Sequence, residues 1–170
     1  MPWPDRPLVP DATLIAVLGP ADATDELYDL ARAVGRGLAR RGFVVVTGGL
    51  GGVMEAAARG AAEAGGRAVG VLPGDDPSEA NRYVSDVVAT GLGEYRNALV
   101  VRDAAAIVAV GGSWGTLSEI ALAVRARKPV AALRGWNVHD QTGRAVAGVC
   151  DFDTPAQAVA WIAQRLDRRA

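Results

Sequence analysis

Three residue types that build disulfides, zinc sites and Schiff bases are nearly missing from this sequence of 170 residues. It contains one cysteine, Cys150, one histidine, His139, and one lysine, Lys128. A single cysteine excludes an intramolecular disulfide, and one cysteine with one histidine cannot supply a zinc cluster of these ligand types. We therefore predict no metal site, a solvated His139 in its polar stretch, and Cys150 as a small buried hydrophobic residue.

Surplus charge of one sign and long hydrophobic runs are also absent. The formal net charge is −1 and the sequence pI is about 5.8, so the chain as a whole carries no basic footprint for nucleic acid or a membrane surface. No apolar run approaches the roughly 20 residues of a transmembrane helix. Residues 1–11 carry prolines and Asp5 where a signal peptide has an apolar core. We expect a cytoplasmic protein without a membrane partner, whose residues 1–11 are flexible.

What the sequence does contain is a regular alternation of short apolar runs and amphipathic patterns, with glycines where the apolar runs end. The predicted strands are 14–18, 43–46, 68–72, 83–88, 105–110, 130–133 and a short one at 149–150. The predicted helices are 22–41, 53–64, 94–102 and 116–125. A last helix begins at Thr154 with a capping box that Gln157 completes. Continuous apolar strands between helices predict an α/β chain. We expect one Rossmann-like domain over residues 1–170, with three αβα layers and a mostly parallel sheet of six or seven strands.

Two glycine-rich turns, residues 48–55 and 111–116, each connect a predicted strand to a predicted helix. Glycine adopts positive φ at low cost and lets backbone N–H groups approach an anion, while the following helix adds unpaired N–H groups. A dinucleotide fingerprint would need glycine where Met54 stands, and no P-loop signature is present. We interpret the turns as a site for a phosphate and the sugar or base attached to it; the alternative is that tight α/β turns simply use glycine.

The two glycine-rich turns, in their order along the chain, resemble motifs of the LOG-like proteins. This Rossmann superfamily was long misannotated as lysine decarboxylases. Residues 48–57, GGLGGVMEAA, are similar to the G-G-x-x-G-[VL]-M segment of that superfamily. Residues 111–119, GGSWGTLSE, are similar to its P-G-G-x-G-T-x-x-E segment, with Val110 in place of the proline and one extra loop residue. The resemblance is closer to the smaller DprA/Smf-related branch, which includes molybdenum cofactor carrier proteins, and it runs from Leu14 to about Leu133.

The resemblance implies a Rossmann-like fold, a homo-oligomer, often a dimer, and a small phosphorylated ligand. Candidate ligands are the molybdenum cofactor, a pterin carrying a phosphate, and an AMP-like nucleotide, with no further cofactor required. It also implies an alternative function, hydrolysis of nucleoside 5′-monophosphates to free base and ribose 5-phosphate, with Arg96 and Glu119 as the catalytic pair. A carboxylate suits the oxocarbenium-like transition state of that reaction. The further candidates for ligand or phosphate binding are Gly48, Gly49, Gly51, Gly52, Glu55, Asn97, Gly111, Gly112, Ser113, Trp114, Gly115 and Thr116.

The key candidates each have a structural alternative. Glu119 follows Thr116 at the spacing of a capping box, in which its carboxylate would accept a bond from the N–H of Thr116. Arg96 alone is typical of a solvated surface residue, and Trp114 either stacks on a base or packs in a core or interface. Binding of single-stranded DNA, by analogy with DprA, lacks the basic surplus that it requires. A lysine decarboxylase is not supported, because Lys128 is predicted near the end of a helix, away from the glycine turns.

Overall fold

The computed structural model describes Val9 and residues 11–168 of the chain. The strands are β1 Leu14–Leu18, β2 Val44–Thr47, β3 Ala68–Leu72, β4 Asp86–Ala89, β5 Ala106–Val110, β6 Val130–Leu133 and β7 Val149–Asp151; the helices are α1 Asp25–Ala39, α2 Val53–Glu63, α3 Asn97–Asp103, α4 Trp114–Arg125 and α5 Pro155–Asp167. Two short 3-10 helical turns lie at Pro77–Glu79 and Gly93–Arg96. The predicted flexibility of residues 1–11 concerns residues that, apart from Val9 and Asp11, lie outside this described part.

The seven strands form one parallel sheet in the order β4-β3-β2-β1-β5-β6-β7. This confirms the predicted α/β class and the predicted number of strands. The chain order reverses between β1 and β5, which lie side by side with Ile15 paired to Ala106. A crevice for a ligand is expected outside the carboxyl ends of the strands at such a reversal, because the loops that follow the two strands diverge to opposite faces.

Both faces of the sheet are covered, which confirms the three predicted layers. One side of β1, including Ile15 and Val17, packs with α1, α2 and α5, while the other side, including Leu14 and Ala16, packs with α3 and α4. All five residues of β1 are buried. This double burial explains why the central strands read as continuous apolar runs, since a strand covered on both sides has no position that favours a polar side chain.

Helix ends differ from the sequence prediction where polar side chains cap them. The first helix starts at Asp25, not residue 22, because Thr24 is the N-cap and accepts a bond from the Leu27 N–H at 3.3 Å. The helix predicted at 94–102 is divided into the 3-10 turn Gly93–Arg96 and helix α3. The capping box predicted at the start of α5 is present.

The single histidine, cysteine and lysine of the sequence differ in their surroundings. His139 is exposed, whereas Cys150 is only half-buried and not part of a fully buried strand. The ammonium of Lys128 donates bonds to the carbonyls at the end of α3, among them that of Ala104 at 2.6 Å, on the side of the sheet where β5 starts. Among the helices in the described part of the chain, none is long and apolar enough to cross a membrane.

Candidate functional site

A cavity of about 310 Å³ opens where the sheet order reverses, outside the carboxyl ends of β1, β2, β3 and β5. Its walls come from the loops after these strands, the 3-10 turn Gly93–Arg96 and the first turns of α2 and α4. Among the described residues, four polar or charged residues are buried as a whole, backbone included, and three of them line this cavity. Seven residues proposed from the sequence come together here: Gly48, Arg96, Asn97, Ser113, Gly115, Thr116 and Glu119.

Arg96 is a buried, positively charged residue in the lining of the cavity. Its side chain is 8% exposed, so it is not a solvated surface arginine. One guanidinium nitrogen, Nη1, donates to the carbonyl oxygen of Gly48 at 2.6 Å and also to that of Val71. Arg96 therefore ties the end of β2 to β3, while its Nε is buried without a hydrogen-bond partner. Burial lowers the pKa of Arg96, an effect partly opposed by the charge of Glu119, but a guanidinium remains protonated in proteins.

Gly48 makes room for this arginine. A Cβ at position 48 would lie 2.6 Å from Nη2 of Arg96 and 2.5 Å from the sulfur of Met54. We expect Gly48→Ala to lower the free energy of unfolding by about 1–3 kcal/mol, the usual cost of inserting an atom into a packed site. Urea denaturation measures this change.

Gly51→Ala is the matched control for that substitution. A Cβ at Gly51 meets nothing closer than the carbonyl oxygen of Ala21 at 3.6 Å, an ordinary contact distance. The control should therefore leave the denaturation midpoint almost unchanged. Equal stability of wild type and Gly48→Ala would show that the guanidinium does not need the space that glycine leaves.

Glu119 also lines the cavity, from a position one turn and a half into α4, and is 8% exposed. The alternative that it caps its own helix is wrong. The N-cap is Ser113, whose hydroxyl oxygen accepts a bond from the Thr116 N–H at 3.2 Å. Helix α4 therefore starts at Trp114, two residues before the predicted start, and the carboxyl of Glu119 is left to face the cavity.

The protonation of Glu119 is unusual for a carboxyl group. Burial raises its pKa from the ordinary value of 4.5 to about 7, against the lowering effect of the Arg96 charge. Among the ion pairs of the described residues, none joins Glu119 to Arg96, so the two groups face the same space without neutralising each other directly. Near neutral pH this carboxyl can hold or release a proton, which is the property of a general acid or base.

The second glycine-rich turn presents a backbone donor and two hydroxyl groups to the cavity. Gly115, which lines the cavity, lies in the first turn of α4, where N–H groups have no partner within the helix. The hydroxyl oxygens of Ser113 and Thr116, which also line the cavity, lie 3.0 Å apart. Together with the positive end of the helix dipole, these groups form a suitable environment for an anion such as phosphate.

The first glycine-rich turn contributes less than the sequence indicated. Only Gly48 of its predicted glycines lines the cavity; Gly49, Gly51 and Gly52 do not. Gly52 has a φ of 61°, and a Cβ there would collide with the backbone of Pro20 and Ala21. The N–H of Val53 donates to the Pro20 carbonyl at 3.0 Å and is not available to an anion.

Four other predicted residues also lie outside the cavity lining. Glu55 accepts a bond from the hydroxyl of Tyr28 at 3.1 Å and so links α2 to α1. Gly111, with a φ of 68°, packs on Leu27, and Gly112 packs on Trp136. Trp114 lies in an adjoining groove. Gly111 and Gly112 therefore allow close packing around this turn, and the packed turn positions the cavity.

The cavity has seven further lining residues that the sequence reasoning missed: Val17, Leu18, Gly19, Ala21, Met54, Pro73 and Glu94. A signal for part of this set was present. Gly19-Pro20 follows β1 as the other glycines follow β2 and β5, and a Cβ at Gly19 would lie 2.6 Å from Val53. In the part of the chain that the structure describes, no cluster of three or more histidine, cysteine, aspartate or glutamate side chains is placed to hold a metal ion.

Comparison with known proteins identifies a matching family and a relative of similar length. Residues 12–159 match the SLOG cluster4 family. An uncharacterized protein of Archaeoglobus fulgidus is 39% identical over 145 residues, which are 85% of this chain and 91% of that protein.

Several solved structures are similar to this chain in fold. The molybdenum cofactor binding protein of the phototrophic bacterium Rippkaea orientalis is 31% identical with a TM-score of 0.83, over 93% of this chain and 99% of that one. The molybdenum cofactor carrier protein MCP of Chlamydomonas reinhardtii is 37% identical with a TM-score of 0.83, over 92% and 99%. DNA processing protein A of Helicobacter pylori, at 16% identity and a TM-score of 0.67 over 90% and 81%, shares the fold. These matches confirm the resemblance to the DprA-related branch, and the chain belongs to the SLOG cluster4 family.

Proposed function

We propose that this chain binds the molybdenum cofactor as a carrier, with the phosphate of the pterin in the cavity between Arg96 and the start of α4. The observation that carries the proposal is the buried guanidinium of Arg96, whose Nε has no partner. An unpartnered donor in such a site costs about 1–3 kcal/mol, and an anionic ligand would remove that cost. The identity of 31% and 37% to proteins that bind or carry this cofactor supports the same reading.

Arg96 and α4 would hold the phosphate from two directions. Because Nη1 is occupied by the Gly48 and Val71 carbonyls, the edge formed by Nη2 and Nε is the one left to grip an oxyanion with two parallel bonds. The N–H group of Gly115, at the start of α4, would approach the same phosphate from the helix end. A protonated Glu119 would donate to a phosphate oxygen, whereas an ionised Glu119 would repel it.

Titration of the purified chain with molybdenum cofactor released anaerobically from a molybdoenzyme tests this proposal. We expect saturable binding, seen as the protein-bound fraction after rapid gel filtration. Binding that does not saturate, or that equals the binding to an unrelated protein of similar charge, would overturn the carrier function.

A second candidate function rests on a different observation. Glu119, with a pKa of about 7, shares the cavity with Arg96. A nucleoside monophosphate anchored by its phosphate would present its ribose to this carboxyl, which could stabilise the ribosyl cation or activate water during cleavage of the N-glycosidic bond. The products would be free base and ribose 5-phosphate.

Incubation with AMP and with N6-isopentenyladenosine monophosphate, followed by mass spectrometry, distinguishes the two functions. Release of base by the wild type and not by Glu119→Gln would support the phosphoribohydrolase. Intact nucleotide after prolonged incubation would exclude hydrolysis of these substrates and favour the carrier.

The predicted homo-oligomer and cytoplasmic location stay predictions, as does the view that nucleic acid is not a partner. Light scattering on the purified chain measures the oligomeric state. A gel shift with single-stranded oligonucleotides at increasing salt would detect DNA binding, because phosphate contacts weaken steeply as salt rises.

A further inference from the structure

A second groove, more open and more aromatic, adjoins the phosphate cavity. It lies between the 3-10 turn Gly93–Arg96 and the start of α4, and it has a volume of about 630 Å³. Three side chains on its rim are unusually exposed for their size, with 47% of Leu92, 86% of Tyr95 and 76% of Trp114 open to solvent. Large apolar groups exposed together commonly mark a binding surface.

Trp114 is held in place although it is exposed. Its indole packs against that of Trp136, with ring centroids 5.1 Å apart and planes inclined by 41°. Trp136 is itself fixed, because its Nε1 donates to the carbonyl of Ser113 at 3.0 Å. Gly112 lies so close that a Cβ there would stand 2.8 Å from the Trp136 ring. One face of Trp114 is thus supported from behind while the rest of its surface remains free.

The groove and the cavity share part of their lining. Glu94, Asn97 and Gly115 line both of them. A Cβ at Gly115 would meet nothing closer than the Ser113 hydroxyl at 3.7 Å and the Asn97 amide nitrogen at 3.9 Å, and the φ of Gly115 is not positive. The fold therefore does not require glycine at this position, and the missing side chain leaves the boundary between the two spaces uncrowded.

We propose that Trp114, supported by Trp136, is the shelf on which the planar heteroaromatic ring of the ligand lies while its phosphate occupies the cavity beside Arg96. The inference rests on the proposed function and extends it to the ring end of the ligand. The chemical class is a phosphate monoester of a flat, nitrogen-containing ring, such as a pterin or a purine. Stacking on an indole selects for the flat ring and is tolerant of its exact substituents.

Two probes that differ only in the ring test the shelf. Neopterin 3′-monophosphate carries the ring, and glycerol 3-phosphate has a similar phosphorylated chain without it. Isothermal titration of wild type and Trp114→Leu with each probe gives four affinities. We expect the substitution to weaken binding of the pterin about tenfold or more, the usual loss when an aromatic stacking partner is removed, and to leave glycerol 3-phosphate unaffected.

Trp161→Leu is the matched control, since Trp161 of α5 packs on Phe152 and lines neither space. It should change neither affinity. Equal affinity of wild type and Trp114→Leu for the pterin would overturn the shelf while the proposed function stands. If Trp114→Leu instead changes the oligomeric state and not the affinity, the groove is covered by a second copy of the chain, and the shelf is again overturned. A wild type that binds neither probe overturns the proposed function together with the shelf.

Discussion

Arg96→Met should lower the free energy of unfolding by about 3 kcal/mol and abolish measurable binding of phosphorylated ligands. The loss of stability arises because the carbonyls of Gly48 and Val71 would each lose a donor that carries a full charge; charge-assisted bonds contribute about 1.5–3 kcal/mol, and a buried group left unpaired costs about 1–3 kcal/mol. Methionine fills much of the same space, so the change reports the lost bonds more than a cavity.

The loss of binding has a separate cause. In the described part of the chain, Arg96 is the one positively charged residue that lines the cavity, and methionine offers neither its charge nor its donors. Urea denaturation followed by isothermal titration with AMP or neopterin 3′-monophosphate measures the two effects on one preparation. Arg125→Met is the control, because Arg125 is exposed at the last turn of α4. Wild-type affinity in a folded Arg96→Met variant would remove this residue from the phosphate site.

Glu119→Gln should make the protein more stable at pH 8 by about 3 kcal/mol, an advantage that disappears near pH 4. In the unfolded chain this carboxyl titrates near 4.5, whereas in the folded protein burial raises its pKa to about 7. Between these values the folded state binds more protons than the unfolded state, so the stability of the wild type falls as pH rises through this range. Glutamine carries no charge at any pH, so the variant does not pay the cost of ionising a buried group.

Thermal denaturation of wild type and Glu119→Gln at a series of pH values between 4 and 8 measures this difference. The same titration of Glu119 predicts that wild-type affinity for a phosphorylated ligand decreases as pH rises through about 7, since the ionised carboxyl repels the anion, and that the variant loses this dependence. Parallel stability curves for the two proteins would show that the pKa of Glu119 is the same in the folded and the unfolded chain, which would contradict the predicted rise.

The resemblance and the residue patterns gave Arg96 and Glu119 a catalytic role, and that role stays a prediction. Arg96 and Glu119 were singled out as a pair, and they do share one cavity. That Arg96 also bonds the ends of β2 and β3, and that Glu119 does not cap α4, depends on where Ser113 and the loop carbonyls lie. The wrong capping alternative shows the difficulty: Thr116 and Ser113 both suit an N-cap by type, and only the start of the helix decides between them.

The alternation of apolar and amphipathic segments along the chain determined the fold class by itself. A short, continuous apolar run between two amphipathic helices is typical of a strand that is buried on both faces. The sequence also determined that glycine-rich turns follow the strands and therefore gather at one edge of the sheet. Only the tertiary structure decided which of these glycines line the cavity. Gly115 lines the cavity with open space beside it, and Gly48 lines it while leaving room for Arg96, whereas Gly49 and Gly52 allow the chain to turn and pack closely. Glycine meets both needs with the same missing Cβ, and what stands opposite the gap, a neighbouring backbone or an open cavity, is set by segments distant in sequence.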